Sequence, residues 1–212
     1  MSSTPYIVGI SGGSASGKTS FLKKLRQQLP EDALSIVSQD NYYRPKEHQQ
    51  KDENGQINFD LPTSIDRLAF YNDMQELRSG KSLQIKEYNF NNAAGKDSQV
   101  IINPAPLIVM EGLFIFHYEE IRKALDLRVY IDTRDEVKLE RRLKRDKDER
   151  GYAEDTVLYQ WHNHVMPSYH RYLRPYRDEA DIIVTNNTSY DKGLFVLVNH
   201  LKSVLASGRN HI

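Results

Sequence analysis

Eight residues, Gly12-Gly13-Ser14-Ala15-Ser16-Gly17-Lys18-Thr19, constrain the fold of this chain more than any other stretch. They complete the pattern G-x-x-x-x-G-K-[ST]. A short β-rich run at 6–10 precedes them, and Phe21, Leu22, Leu25 and Leu29 follow at helical spacing until Pro30. A strand, a glycine-rich turn and a helix in that order make a cradle for phosphate. Glycines let the backbone curl so that successive N–H groups converge on phosphate oxygens, and the helix adds its positive N-terminal end. Lys18 supplies a point charge to the β- and γ-phosphates, and the Thr19 hydroxyl can ligate Mg²⁺. The expected nucleotide-binding set is Gly12, Gly13, Ser14, Ala15, Ser16, Gly17, Lys18, Thr19 and Ser20.

The rest of the chain repeats the alternation of strand and helix. Continuous apolar runs at 34–37, 107–110, 127–131 and 181–184 predict four more strands. Helical patterns fall at 64–78, 119–125, 135–150, 155–172 and 192–205. Strands that are apolar throughout need cover on both faces, so the fold class is α/β. The expectation is a P-loop NTPase-type sheet of five parallel strands with helices on both faces. Two alternating runs, 83–90 and 98–102, break the rhythm and predict a β-hairpin insertion over about 81–103. One domain spanning 1–212 accounts for the whole chain, with residues 44–63 as a polar loop.

Lys and Arg total 29, as do Asp and Glu, so no global charge favours nucleic acid or a membrane surface. No cysteine is present, which removes disulfides, thiolate metal sites and thiol nucleophiles. The first residues carry no basic, apolar leader pattern, and no apolar run could span a bilayer; the expected compartment is the cytoplasm. The seven histidines show no metal-ligand spacing and read as structural or surface residues.

Ligands of parallel sheets gather at the carboxyl ends of the strands. Asp40 follows the second strand and is a candidate general base. Glu111 follows the third and is a candidate Mg²⁺ partner, with helix or turn capping as the bland alternative for both. The charged helix carries Arg141, Arg142, Arg145 and Arg150. Its bland interpretation is a solvated face laced by Glu140, Asp146 and Glu149. Its functional interpretation is a lid over about 138–155, whose arginines close on phosphates and exclude water. Lys18, Asp40 and Arg145 are the expected catalytic residues.

Together these segments resemble the uridine/cytidine kinases. The resemblance rests on the glycine-rich cradle, then Ser38-Gln39-Asp40-Asn41-Tyr42-Tyr43-Arg44, Asn58-Phe59-Asp60-Leu61-Pro62, Glu111-Gly112, Arg141-Arg142-Leu143-Lys144-Arg145-Asp146 and Glu149-Arg150-Gly151, in family order over most of the chain. It implies transfer of phosphate from ATP, with Mg²⁺, to the 5′-hydroxyl of a pyrimidine ribonucleoside. Asp40 would be the base and Tyr43 would lie near the nucleoside. Asp60, helped by Arg142, would hold the ribose hydroxyls. Tyr88 would contact the pyrimidine, Gln160 would lie nearby, and Arg145 and Arg150 would bind phosphate. The family resemblance also implies a homotetramer.

Two positions depart from the family pattern. Ala93 stands where uridine- and cytidine-accepting members carry a base-reading histidine, and Tyr152 stands where a second lid arginine is expected. These departures keep open a kinase for another small hydroxyl compound, of the phosphoribulokinase or pantothenate kinase kind. A nucleotide-dependent switch would need a guanine-reading Asn-Lys-x-Asp, which is missing. A non-catalytic binder is disfavoured by the joint presence of Lys18, Thr19, Asp40 and Glu111.

Overall fold

A computed structural model describes residues 4–88 and 98–207. The phosphate cradle leaves the carboxyl end of β1 (Tyr6–Ser11) and enters α1 (Lys18–Gln27). The chain then runs outward to β2 (Leu34–Ser38) and through the polar loop to α2 (Arg67–Arg78). A two-stranded antiparallel ribbon of β3 (Leu83–Lys86) and β4 (Gln99–Ile102) follows. The chain returns through β5 (Leu107–Glu111), α3 (Glu119–Arg122), β6 (Leu127–Asp132) and α4 (Asp135–Arg150). After α5 (Glu154–Gln160) and α6 (Met166–Ser168) come β7 (Ile182–Thr185) and α7 (Asp191–Ser207).

Five strands form one parallel sheet in the order β2-β5-β1-β6-β7. β1 is central, and the connections reverse direction around it. The glycine turn therefore opens at the topological switch point, where an open α/β sheet leaves a crevice.

Alternation within the strands explains the helices on both faces. Val8 and Ile10 of β1 point to the side of α1 and α7, packing with Phe21, Leu25, Leu194, Leu197 and Leu201. Ile7, Ile108, Met110 and Tyr130 point to the other side, against Phe70, Met74, Phe114, Ile121 and Leu173. Truncating a fully buried member such as Leu25 to Ala costs about 2–5 kcal/mol.

The structure moves several expected boundaries. The helix expected at 64–78 begins at Arg67, because Asp66 caps it by accepting from the Ala69 N–H at 3.1 Å. The helix expected at 119–125 keeps four residues. The helix expected over 155–172 changes pitch twice, with π-helical turns at Trp161–Val165 and Tyr169–Leu173 on either side of Pro167. Proline has no N–H to give the preceding turn, and wider turns reroute the bonding around it. The described hairpin arms are shorter than expected on the first side. Phe90, Asn91, Asn92 and Ala93 lie outside the described residues.

Candidate active site

The glycine turn is held from three sides. Gly17 has a left-handed backbone (φ 98°), and a Cβ there would collide with the Asn186 amide. Ala15 also has positive φ, 61°, an unusual conformation for a residue with a side chain. The Ser16 carbonyl accepts from Asn186 Nδ2 at 2.8 Å and from Thr133 Oγ1 at 3.0 Å. Ser20 Oγ donates to the Gly17 carbonyl at 3.0 Å. Lys18 folds back into the turn, and its ammonium donates to the carbonyls of Gly12 (3.0 Å) and Gly13 (3.3 Å). Thr19, the second residue of α1, is exposed.

Two acids face this turn. Glu111, the last residue of β5, is buried; Ser38 Oγ donates to its Oε2 at 3.0 Å, and its Oε1 lies 4.0 Å from Lys18 Nζ. Burial pushes its pKa up to about 7, opposed by Lys18. Asp40 is half-buried in the short helical turn after β2, where its N–H meets Ser38 Oγ at 3.4 Å. Burial raises its pKa, while Lys18, Arg150 and Arg145 pull it back and Asp60 pushes the same way as burial. Lys18 in turn is lowered by burial and raised by Glu111 and Asp40. These groups therefore form one electrostatic cluster.

Beyond Asp40 the site becomes aromatic. The Tyr43 ring lies 5.2 Å from Tyr88, tilted by 40°, and 6.0 Å edge-on from Phe59. Asn41 Oδ1 accepts from the Tyr88 N–H at 3.0 Å, which ties the hairpin to the turn that carries Asp40. Burial, with Asp40 and Asp60 close by, holds the Tyr43 hydroxyl protonated. Asp60 is half-buried, and its pKa is raised by burial and lowered by Arg142 and His164.

Arg142 links the two halves. It is buried, donating from Nη1 to Ser14 Oγ at 2.9 Å and from Nη2 to Gln160 Oε1 at 3.1 Å. Arg145 and Arg150 are half-buried on the same helix and act on Asp40. Tyr152 is exposed beyond the helix end, which Gly151 closes with a left-handed φ of 66°.

Residues 7–191 match the Phosphoribulokinase / Uridine kinase family. The chain belongs to that family. It is 36% identical over 206 residues to the "Uridine kinase" of Borrelia garinii subsp. bavariensis, covering 97% of this chain and 98% of that one. It is 37% identical over 205 residues to the "Uridine kinase" of Borreliella burgdorferi, covering 95% and 97%. A solved chain from Bacillus stearothermophilus, titled a "Possible Uridine Kinase", superposes with a TM-score of 0.61 over 86% of this chain and 90% of that chain. At 17% identity that likeness carries the fold alone.

Four features of this kinase-family site escaped the sequence. Thr133 and Asn186, which grip the turn, each stand one residue past a strand end; the strand-end rule that found Asp40 and Glu111 could have found them too. Lys138 lies in the charged helix but is buried, its ammonium 2.7 Å from Asp135 and 3.6 Å from the Tyr169 ring centre. Asp146 is not the solvated residue of the bland interpretation but is fully buried. Histidine 164 is structural, as expected: its Nε2 and the Tyr159 hydroxyl both meet Asp52 Oδ2 at 2.7 Å, fastening the polar loop to the helix that carries Gln160.

The donor set fits a hard divalent cation held jointly with phosphates. A hydroxyl and a carboxylate, such as those of Thr19 and Glu111, are donors of the hard-oxygen kind that such an ion accepts alongside a triphosphate. Among the described residues no cluster of three or more His, Cys, Asp or Glu could hold a metal alone. No described helix is long and apolar enough to cross a membrane.

Proposed function

We propose that this chain phosphorylates the 5′-hydroxyl of a pyrimidine ribonucleoside, uridine or cytidine, at the expense of ATP. The observation that carries this reading is the cluster of Tyr43, Tyr88, Asp40 and Asp60, which joins the glycine turn through the charge of Lys18 on Asp40. The full-length relatives named uridine kinase support the same acceptor. The turn N–H groups and Lys18 hold the triphosphate, while Ser14, Ala15, Ser16 and Ser20 shape the loop. Thr19 and Glu111 would hold Mg²⁺, which would offset charge on the phosphates.

The acceptor ring lies against Tyr88 and Tyr43. Asp60 and Arg142 take the ribose hydroxyls, with Gln160 steadying Arg142. Asp40 removes the proton of the 5′-hydroxyl as its oxygen bonds to the γ-phosphorus and the bond to ADP breaks. A raised pKa makes Asp40 a better base than an exposed aspartate. Arg145 and Arg150 stabilise the transferred charge as α4 closes as a lid. A cytoplasmic location and a homotetramer complete the proposal, and light scattering on the purified protein measures the second.

The test is ADP release with ATP and Mg²⁺ over uridine, cytidine, their 2′-deoxy forms, ribulose 5-phosphate and pantothenate. Uridine or cytidine should stimulate release, and the deoxy forms less, because Asp60 loses a hydroxyl partner. Stimulation by ribulose 5-phosphate or pantothenate alone would overturn the acceptor.

A further inference from the structure

Asp146 is 0% exposed in the middle of a helix rich in charge. Three guanidinium groups meet on its carboxylate: Arg145 Nε at 2.8 Å, Arg142 Nε at 3.2 Å and Arg150 Nη1 at 3.4 Å. Its main-chain carbonyl accepts the Tyr152 N–H at 3.0 Å, closing the turn at Gly151. A buried carboxylate is costly unless it is paired and hydrogen-bonded; here Oδ1 accepts from Arg145 Nε, while Oδ2 is compensated by charge alone.

Two features point beyond packing. The first is the charge count. Three guanidinium groups gather on one buried carboxylate, beside the crevice where Asp40 and Asp60 stand. The second is which nitrogens are taken. Asp146 Oδ1 accepts from Arg145 at Nε, the root of its guanidinium, whereas Arg142 Nε stands 3.2 Å from Asp146 Oδ2 as an ion pair without a hydrogen bond. The outer nitrogens of Arg142 remain for Ser14 of the glycine turn and for Gln160. Those of Arg145 make no hydrogen bond among the described residues. A guanidinium fixed at its root presents its fork outward in one orientation, the arrangement that planar phosphate recognition uses.

We infer that Asp146 is a positioning residue, a buried anchor that holds Arg145 at Nε and aims its outer nitrogens at the transferring phosphate. The inference rests on the kinase reading above. Asp146 itself touches neither substrate.

The experiment compares wild type, Asp146→Asn, Arg145→Ala and the double variant. Four quantities are measured: kcat and KM for uridine and ATP, affinity for a non-hydrolysable ATP analogue, and thermal unfolding. Asparagine keeps the shape but replaces one acceptor oxygen by an NH₂ that repels guanidinium. Asp146→Asn should lower kcat about 100-fold, the penalty of an ångström-scale misplacement, while analogue affinity falls less than about tenfold. In the Arg145→Ala background the same change should cost kcat less than about threefold more, because the anchor has lost the arginine it served. Equal costs in both backgrounds, or kcat within about threefold of wild type for Asp146→Asn, would overturn the inference.

If Asp146→Asn unfolds, Arg145→Lys decides. Lysine keeps the charge but has no Nε to grip, so its kcat should match Arg145→Ala; wild-type kcat would refute the anchor. Wild type without nucleoside-dependent turnover sinks the kinase reading instead. The anchor is then judged by analogue affinity, and an unchanged value in Asp146→Asn refutes it.

Discussion

Lys18, the first residue of α1, and Glu111, the last residue of β5, face each other 4.0 Å apart, both buried. The separation is too long for a hydrogen bond, and Lys18 gives its hydrogens to two turn carbonyls instead. Each group is thus charged at a cost and only partly repaid by the other. A triphosphate beside Lys18 and a divalent cation beside Glu111 would relieve both.

A pH dependence follows from Glu111. Its pKa rises from 4.5 to about 7 on folding. Between those values the unfolded chain has already released the proton that the folded chain keeps, so raising the pH favours unfolding through this group. The loss begins near pH 4.5 and is complete above about pH 7. Glu111→Gln removes it. The melting temperature of that variant should rise relative to wild type between about pH 5 and pH 8, and a constant difference would contradict the assignment.

Removal of Lys18 should act on binding and turnover together. Lys18→Met keeps the stem but strips the cation, leaving the Gly12 and Gly13 carbonyls and Glu111 without it. Turnover should fall about 10²–10³-fold, as for loss of one donor to developing charge. Isothermal titration with ATP should register weaker binding in the same variant. Undiminished affinity would mean that the cradle holds something other than a triphosphate.

Asp40 separates chemistry from nucleotide binding. Asp40→Asn preserves the turn after β2, whose helical start depends on Ser38 rather than on the carboxylate. ATP binding should persist while kcat falls about 10²–10⁴-fold, the usual contribution of a positioned base. The fall should be uniform across nucleosides, because in the proposed reaction Asp40 meets the hydroxyl and not the ring. Activity near wild type would remove Asp40 from the proton transfer.

The sequence revealed what depends on local pattern. Apolar strand runs and the glycine spacing gave the sheet and the cradle, since both follow from short-range periodicity and backbone freedom. Asp40 and Glu111 were visible because strand ends mark the crevice. Asp146 was not, because a charged residue among charges looks solvated until the helix is seen packing its arginines inward. The changes of pitch around Pro167 were also hidden, since the helical pattern of apolar residues runs on through them. Asn186 and Thr133 lie far from the glycine turn in sequence, and only the closed sheet brings them to Ser16.

That convergence yields a last prediction. The Ser16 carbonyl is buried and accepts two bonds, one from each of two strand ends. Deleting either donor leaves the other in place, so Asn186→Ala or Thr133→Val should each cost about 0.5–1.5 kcal/mol of stability, the net worth of one ordinary hydrogen bond. Deleting both leaves a buried carbonyl with neither donor, and the double variant should lose more than the sum of the singles, with a coupling of about 0.5–3 kcal/mol. ATP affinity should follow the same order, since in the proposed reaction the turn N–H groups bind phosphate only while the loop keeps its left-handed residues in place. Urea unfolding and ATP titration of the three variants measure both quantities. Strict additivity in each would show that the two side chains hold the glycine turn independently rather than through the one oxygen they share.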